Sequence, residues 1–159
     1  MDAFRGNHSV KLEDGGRLKL PSPFKKILDD AHVTQFYITS KDGQGAEVWP
    51  LTAWEKQEAL LTKMCASDEV AARYEAAVNY LEQTSYYGQQ VEMDKQGRVQ
   101  LPQLLRGTAK LDGDVNIRGK LNHLLVQNSK DLSEIMAQNA LTQENLRSLA
   151  PVLTPRIDE

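Results

Sequence analysis

Hydrophobic and polar positions alternate along two separate segments of the chain. Residues 10–20 carry apolar side chains at every second position on both sides of an Asp-Gly-Gly sequence, and residues 91–101 do the same around Lys-Gln-Gly. Successive side chains of a strand point to opposite faces, and glycine permits a tight turn between strands. Each segment is therefore predicted to form two short strands joined by a turn, with one apolar face in the core.

The two segments share a motif as well as a pattern. The sequence GRLKLP over Gly16–Pro21 returns as GRVQLP over Gly97–Pro102, and Glu13 of the first copy corresponds to Asp94 of the second. An internal repeat says more about architecture than local propensity does. In a chain of 159 residues, two copies of this size are expected to share one core. The prediction is a single α+β domain built from two fused repeats.

The same order of elements is predicted after each copy. A proline ends the motif strand, and Ser22 followed by a proline has the composition of a capped helix start. Strands are then expected over Gln35–Thr39 and Ala46–Trp49 in the first half, and over residues 115–118 and 123–126 in the second half. The second half thus repeats the first beyond the shared motif.

Two helices are predicted between the repeats. Thr52 and Glu55 have the spacing of a capping box, which opens a helix through about Met64. Ser67, followed by two acidic residues, opens the second helix. The residues available for burial on these helices are Trp54, Ala59, Leu60, Val70, Tyr74, Ala77, Val78 and Leu81.

The end of the chain is predicted to be less regular. Asn128 is a candidate cap for another helix, and a weak helix over Thr142–Leu149 gives way to two prolines. The apolar residues of the first of these helices are Leu132, Ile135 and Met136. Residues 138–159 are expected to form a mobile tail.

The predicted organisation is one domain over residues 1–137, followed by that tail. Repeat one is placed at about 4–51, the linking helices at about 52–85 and repeat two at about 86–137. These bounds follow the positions at which the hydrophobic period changes between two and that of a helix.

Composition narrows the classes of protein. The formal net charge is −3 and the isoelectric point is about 5.7, which argues against bulk electrostatic attraction to nucleic acid, although one face can still be basic. Cys65 is the only cysteine, so no intramolecular disulfide is expected. No run of apolar residues has the length of a membrane span, and no signal sequence is recognised. We expect a cytoplasmic protein without a membrane partner.

The repeated arginines are the candidate functional residues. Strand alternation places Arg17 and Arg98 on the face opposite Leu18 and Val99, so both guanidinium groups are expected to be exposed. A guanidinium is a planar fork that binds a guanine edge or a phosphate, which lysine cannot reproduce. Further cations are candidates for phosphate contacts, and these are Arg5, Lys11, Lys19, Lys25, Lys26, Lys95, Arg106 and Lys110.

The acidic residues and glycines of the motif have two interpretations. Glu13 and Asp94 either hold the arginines in place or cap the turns by accepting backbone hydrogen bonds. Gly16 and Gly97 are expected to serve the turns themselves. For each arginine the simpler alternative is an exposed strand-end residue that pairs with a neighbouring acid.

Other chemistry is not indicated. The three histidines are far apart in sequence and have no cysteine or carboxylate at ligand spacing, so neither a metal site nor a cofactor is expected. No catalytic constellation is visible, which argues against an enzyme. His123 is expected to lie in a strand, and Trp49, Trp54, Tyr86 and Tyr87 in the core or an interface.

These motifs together resemble the MraZ family. The resemblance covers residues 1–137 and rests on Phe4-Arg5-Gly6, an acid followed four residues later by arginine in both copies, Gly-Arg-x-x-Leu-Pro in both copies, and Val48-Trp49-Pro50 with Trp54. It implies an AbrB-like swapped-hairpin β-barrel with a pseudo-twofold axis, formed within one chain by the fused repeats and carrying flanking and linking helices.

The resemblance also implies a function. Members of the family are transcriptional regulators that assemble into rings and bind double-stranded DNA at repeated sites upstream of division and cell-wall genes, which would place this protein at the nucleoid. The sequence departs from the family pattern at Glu13, where aspartate is usual, and at Gly15, where lysine is common. The target sequence is therefore left open.

An alternative function of a different class also remains open. An AbrB-like fold can serve as an antitoxin, with an extended C-terminal segment that binds a partner protein. Residues 138–159 are the candidate for such an arm.

Overall fold

The alternating segments form strands in a computed structural model that describes residues 1–67 and 71–153. The strands are β1 Asn7–Lys11, β2 Arg17–Lys19, β3 Gln35–Thr39, β4 Ala46–Pro50, β5 Gln89–Glu92, β6 Arg98–Gln100, β7 Asp114–Gly119 and β8 Leu124–Asn128. The helices are α1 Ser22–Asp30, α2 Leu51–Ser67, α3 Ala71–Tyr87, α4 Gln103–Thr108, α5 Ser129–Gln138 and α6 Gln143–Leu153. The α+β class and all the predicted strands are confirmed, with bounds that shift by one to three residues.

The strands form two antiparallel sheets. Six strands are ordered β1-β7-β8-β4-β3-β5, and β2 pairs with β6 in a separate two-stranded sheet. Each repeat therefore exchanges its first strand with the other repeat: β1 lies against β7, and β5 lies against β3. The two central strands, β8 and β4, join the halves, with Glu47 opposite Leu125.

This order reads the same from either edge once equivalent strands are matched. β1 corresponds to β5, β7 to β3 and β8 to β4. In the smaller sheet, β2 and β6 are equivalent strands that pair with each other. The predicted interleaving of the two copies is present in these pairings. In the ladders of the described residues, β1 and β5 remain the edges of the larger sheet, so a closed barrel is not observed.

One core lies inside these sheets. The exchanged strands and the short helices bury their alternating apolar residues against each other, which explains why neither repeat supplies a core alone. The largest fully buried side chains of this core are Phe4, Leu18, Leu20, Phe24, Leu28, Phe36, Ile38, Leu101, Leu105, Leu111, Ile117 and Leu124. Leu18 and Val99 face each other at the centre of the β2–β6 pair.

The helix starts differ from the sequence prediction. In α1 the capping position is Pro21, and Ser22 is already helical and makes no capping bond, because the proline ends the strand directly at the helix. α2 begins at Leu51 without an intervening loop, so Thr52 lies inside it. The start of α5, by contrast, is as predicted, because the helix begins at Ser129 directly after Asn128, whose side chain also donates to the Lys110 carbonyl at 2.8 Å.

The linking helices are less buried than predicted. Trp54 is buried, but Ala59 and Leu60 are exposed, because the sheets cover only the beginning of α2. On α3 the buried positions are Ala77 and Thr84, while Tyr74 is exposed. Ser67, which was predicted to open the second helix, is instead the last residue of α2, and the two acidic residues after it and Val70 of the stripe lie outside the described residues.

The contacts divide the chain into two compact units, Met1–Ser129 and the segment from Lys130 onward. In the second unit, α6 continues through Pro151 to Leu153, further than the predicted end at Leu149. The proline is tolerated because its fixed φ suits a helix and only one hydrogen bond is lost close to the end. No helix of the described residues is long and apolar enough to span a membrane.

Candidate functional site

The repeated motif residues meet in the β2–β6 sheet. Arg17 lies opposite Gln100 and Lys19 lies opposite Arg98, with Leu18 and Val99 between them. Because the two central residues are buried, the four flanking side chains are turned to the other face. Three cations from two repeats therefore occupy one small antiparallel ladder.

Arg98 is held by two side chains. Its Nε donates to both carboxylate oxygens of Glu13, at 2.8 Å and 3.0 Å, and its Nη1 donates to Oε1 of Gln96 at 2.8 Å. The Arg98 side chain is only 23% exposed. The hydrogen bonds that Arg98 donates to Glu13 raise the pKa of Arg98 above its ordinary value. The expectation that both arginines are freely exposed is therefore wrong for Arg98, which is clamped by the other repeat.

Arg17 has a different environment. It is exposed, and among the described residues it makes no side-chain hydrogen bond or ion pair. In the repeat, the residues that correspond to Glu13 and Gln96 are Asp94 and Gly15. Neither is suited to hold Arg17, because aspartate is one methylene shorter than glutamate and glycine has no side chain. The twofold-related arginines are thus chemically unequal.

Asp94 caps its own turn. Its Oδ1 accepts hydrogen bonds from the backbone amides of Gln96 and Arg98, both at 2.9 Å. The bond from the Arg98 amide is the main reason why the pKa of Asp94 lies below its ordinary value. The two interpretations of the acids therefore divide between them: Asp94 serves the turn, and Glu13 reaches Arg98.

The turn glycines lie under cations from the opposite repeat. Gly16 and Gly97 have φ values of +84° and +82°, a backbone conformation that favours glycine. The side chain of Arg106 crosses Gly16, and the stem of Lys25 crosses Gly97, so a Cβ at either glycine would meet the crossing side chain. Lys25 and Arg106 thereby join the surface around the β2–β6 sheet.

The other predicted cations are spread more widely. Lys95 is exposed in the second turn, and Lys11 is exposed at the end of β1 that leads into the first turn. Arg5 precedes the other end of β1 and is therefore not brought to the arginine pair. Lys25 and Lys26 form exposed ion pairs with Asp29 and Asp30 at 2.6 Å and 3.2 Å, and Lys110 is exposed.

Two site residues were not predicted from the sequence. Gln96 accepts from Arg98, and Gln100 donates from Nε2 to the carbonyl of Gly15 at 2.7 Å. Both side chains join the turns to the β2–β6 sheet. The signal that would have found them is the repeat itself, because Gln100 matches Lys19 and Gln96 matches Gly15.

A second group of polar side chains lies beside Trp49. Trp49 stacks on His123 with ring centroids 3.9 Å apart, and its Nε1 donates to Oε1 of buried Glu47 at 3.0 Å. Burial, together with the smaller effect of the charges of Lys120 and Lys41, lowers the pKa of His123 to about 4. His123 directly precedes β8, which begins at Leu124 and not at the predicted residue 123. Of the predicted core aromatics, Trp49 and Trp54 are buried, whereas Tyr86 is exposed.

Comparisons with known proteins lead to the same family as the repeated motif. Residues 88–149 match the family model described as "MraZ protein, putative antitoxin-like". A protein of Acidobacterium capsulatum named transcriptional regulator MraZ is 44% identical over 92% of this chain and 97% of its own length. The chain belongs to the MraZ family. The MraZ protein of Koribacter versatilis is 38% identical over 92% of this chain, and that of Syntrophobacter fumaroxidans is 30% identical over 79%.

The described residues of this MraZ chain do not form a metal site. Within residues 1–67 and 71–153, no three histidine, cysteine or acidic side chains are grouped so that they could hold a metal ion. Cys65 is a free thiol at an intermediate level of exposure. The family is one of transcriptional regulators and not a class of enzymes.

Proposed function

We propose that this protein is a sequence-specific DNA-binding transcriptional regulator whose β2–β6 face contacts the duplex. The observation that carries the proposal is the meeting of Arg17, Lys19 and Arg98 on one face of the two-stranded sheet. The relatives that match most of the chain are themselves named transcriptional regulator MraZ. Specific binding to a major groove requires side chains that reach base edges from a fixed frame, and a short ladder tied to two tight turns provides such a frame.

Local charge supports this surface despite the net charge of −3. Lys25 and Arg106 flank the arginine pair, and Lys11 and Lys95 lie at the approaches to the two turns. Lysine ammonium groups suit phosphates as point charges, whereas an arginine fork suits a guanine edge. In this proposal the lysines position the protein on the backbone, and the arginine pair includes the side chain that reads the bases.

The proposal extends to assembly and target. The exchanged strands and the β2–β6 pair fit a swapped-hairpin barrel of the AbrB type. Ring-like assembly of several copies would place many such faces along one duplex and multiply weak contacts through effective concentration. Repeated operator sites near division and cell-wall genes, reached at the nucleoid in the cytoplasm, are the corresponding target.

Single substitutions separate the two roles. Arg17→Ala and Arg98→Ala should each weaken binding to a cognate duplex by about 1–3 kcal/mol per contacted site, since each removes a fork, and the preference for that duplex should fall where the lost fork reads a base. Lys25→Ala and Lys26→Ala should weaken cognate and scrambled duplexes alike and flatten the salt dependence.

The measurement is a set of titrations at two salt concentrations, with a cognate duplex first selected from genomic fragments by the unmodified protein. Folding of each variant is checked by circular dichroism. Folded arginine variants that bind both duplexes as the unmodified protein does would remove the β2–β6 face from the proposal.

A protein partner is the second candidate function. The matching family model is described as antitoxin-like, and α6 is an amphipathic helix without a buried side chain among its described residues. Its apolar residues are exposed and include Leu146, Leu149, Val152 and Leu153. Loss of a co-purifying protein on truncation after residue 138, with DNA binding retained, would support this candidate.

A further inference from the structure

We propose that Glu13 is a positioning residue which makes Arg98 the base-reading arginine of the pair and leaves Arg17 as a phosphate contact. This inference rests on the proposed function, because it assigns different tasks to two arginines of the same DNA-binding face. Its starting point is the asymmetry between two positions that the repeat makes equivalent. Glu13 binds Arg98 through both carboxylate oxygens, whereas Asp94 binds backbone amides of its own turn.

The hydrogen bonds of Arg98 to Glu13 and Gln96, called the clamp below, restrict Arg98 to one orientation. Nε is held by the carboxylate of Glu13 on one side and Nη1 by the amide oxygen of Gln96 on the other. An arginine side chain that is already ordered loses less conformational freedom when it binds, and a bidentate contact needs a fixed plane. Nη1 uses one of its two N–H groups for Gln96, and among the hydrogen bonds of the described residues Nη2 of Arg98 has no acceptor, so N–H donors of both nitrogens are available for a bidentate contact with a base edge.

Charge decides which DNA group each arginine prefers. The carboxylate of Glu13 neutralises much of the Arg98 charge and repels a phosphate that approaches it, but it does not remove the N–H donors that a guanine edge requires. Arg17 is exposed, and no carboxylate side chain of the described residues pairs with it. Its charge is therefore available to a phosphate, and its free rotation suits a contact that carries no sequence information.

The length of the acid is what creates this difference. Glutamate at position 13 spans the gap between the repeats, and the turn it leaves without a side-chain cap has Gly15 and Gly16 with φ values of +81° and +84°. Gln100 from the opposite repeat then supports that turn by donating to the Gly15 carbonyl. Two side chains of the second repeat, Arg98 and Gln100, thus form hydrogen bonds with the first turn, and the bond to Glu13 orients Arg98.

The central test compares charge-preserving and charge-matched variants of the full-length protein. Arg98→Lys should lower the ratio of cognate to scrambled affinity about tenfold, the equivalent of one lost bidentate contact. Arg17→Lys keeps a phosphate contact and should change that ratio less than about twofold. Glu13→Gln should lower the ratio about threefold or more, because the neutral amide holds Nε less strongly.

Asp14→Asn is the matched control for Glu13→Gln. Asp14 is exposed in the same turn, so its substitution removes the same negative charge without touching the clamp. The control should raise the affinity for both duplexes and leave their ratio unchanged. A second readout that a structural role alone would not move is proton exchange at the Arg98 Nε–H, followed by nuclear magnetic resonance, which should be slow in the free protein and fast in Glu13→Gln.

The outcomes separate this inference from the function on which it rests. Absence of any preference for a selected duplex in the unmodified protein would overturn both proposals. A clear preference that Glu13→Gln and Asp14→Asn alter alike, or that Arg17→Lys lowers as much as Arg98→Lys, would overturn the positioning role and leave DNA binding standing. The inference stands when only the clamp variants lose discrimination and the Nε–H exchange rises with that loss.

Discussion

The first turn contains two adjacent glycines that do different work. Gly15 and Gly16 both have positive φ, but a Cβ at Gly15 would meet open space, whereas one at Gly16 would meet the side chain of Arg106. We expect Gly15→Ala and Gly16→Ala to lower the free energy of unfolding by a similar amount of about 1–2 kcal/mol, the cost of a left-handed backbone. Urea denaturation of both variants measures this loss.

Only the second substitution should move Arg106. The far end of an arginine adapts at little cost, so the displacement should appear as a shift of the Arg106 Nε–H resonance in Gly16→Ala and not in Gly15→Ala. Equal spectra for the two variants would contradict the crossing of Gly16 by Arg106.

His123 makes stability depend on pH. Its pKa is about 4 in the folded protein and about 6.5 in the unfolded chain, so both states are uncharged above pH 6.5. Between pH 6.5 and 4 the unfolded chain binds the additional proton, and stability falls as the pH falls, by up to about 3 kcal/mol. Below pH 4 this contribution no longer changes.

His123→Phe should remove that dependence while keeping the stack on Trp49. The measurement is the difference in unfolding free energy between the unmodified protein and the variant, taken at steps from pH 7 to pH 4. Because the carboxylates titrate in both proteins, only the difference reports on the histidine. A constant difference over this range would show that His123 keeps its ordinary pKa.

At the residue scale the sequence predicted the arginines and offered Glu13 and Asp94 as acids that hold them, but it did not indicate which acid binds which arginine. Strand alternation was sufficient to place Arg17 and Arg98 on one face, because that rule is local. The Glu13–Arg98 contact joins residues 85 positions apart and depends on one methylene of side-chain length. No periodicity contains that information.

Among the elements, α6 has the clearest local signal. Thr142 Oγ1 accepts from the Asn145 amide and Asn145 Oδ1 accepts from the Thr142 amide, both at 3.0 Å, which is a reciprocal cap in which asparagine takes the place of glutamate. Thr142→Ala should destabilise this helix by about 0.5–2 kcal/mol. Amide exchange over residues 143–153 should rise in the variant, and Thr142→Ser should restore protection. Unchanged exchange in Thr142→Ala would show that the cap does not limit the helix.

The element bounds show where sequence rules compete. Thr52 satisfies a capping pattern, yet α2 begins one residue earlier because β4 delivers Leu51 directly into the helix. Pro21 and Pro102, each separated from the preceding strand by one leucine, occupy the capping positions of α1 and α4, so Ser22 has no cap to provide. Strand-to-helix junctions without a loop are properties of the tertiary packing, and propensity cannot anticipate them.

At the scale of the whole molecule, the positive charge is shared between the repeats. The Lys25 stem from the first repeat lies over Gly97 of the second turn, and Arg106 from the second repeat lies over Gly16 of the first turn. A count of charges by repeat therefore does not describe the charge beside each turn. The repeat in the sequence predicted the interleaving, whereas the separation of the β2–β6 pair from the larger sheet had no signal in it.

The numbers of cations still predict unequal contributions to salt-dependent affinity. Changing Lys11, Lys19, Lys25 and Lys26 together to Gln should flatten the dependence of DNA affinity on salt more than changing Lys95, Arg106 and Lys110 together to Gln. The slope scales with the number of phosphates that are neutralised. Titrations from low to moderate salt measure both slopes, with circular dichroism as the check on folding. Equal slopes would indicate that assembly presents all these cations to DNA alike.

The exchange of first strands sets the order in which this chain can fold during synthesis. The β3–β4 hairpin can form as soon as its own residues have left the ribosome, but β1 has no ladder partner until β7, whose first residue is Asp114, has been made. Residues 7–11 therefore remain unpaired for most of the time of translation. Their pairing with β7 closes a loop of about a hundred residues, and such long-range pairing is slow. During this time the unpaired strand is exposed to association with other chains. The polar side chains of Asn7, Ser9 and Lys11 alternate along this strand, and they disfavour its pairing with other chains until β7 has been made.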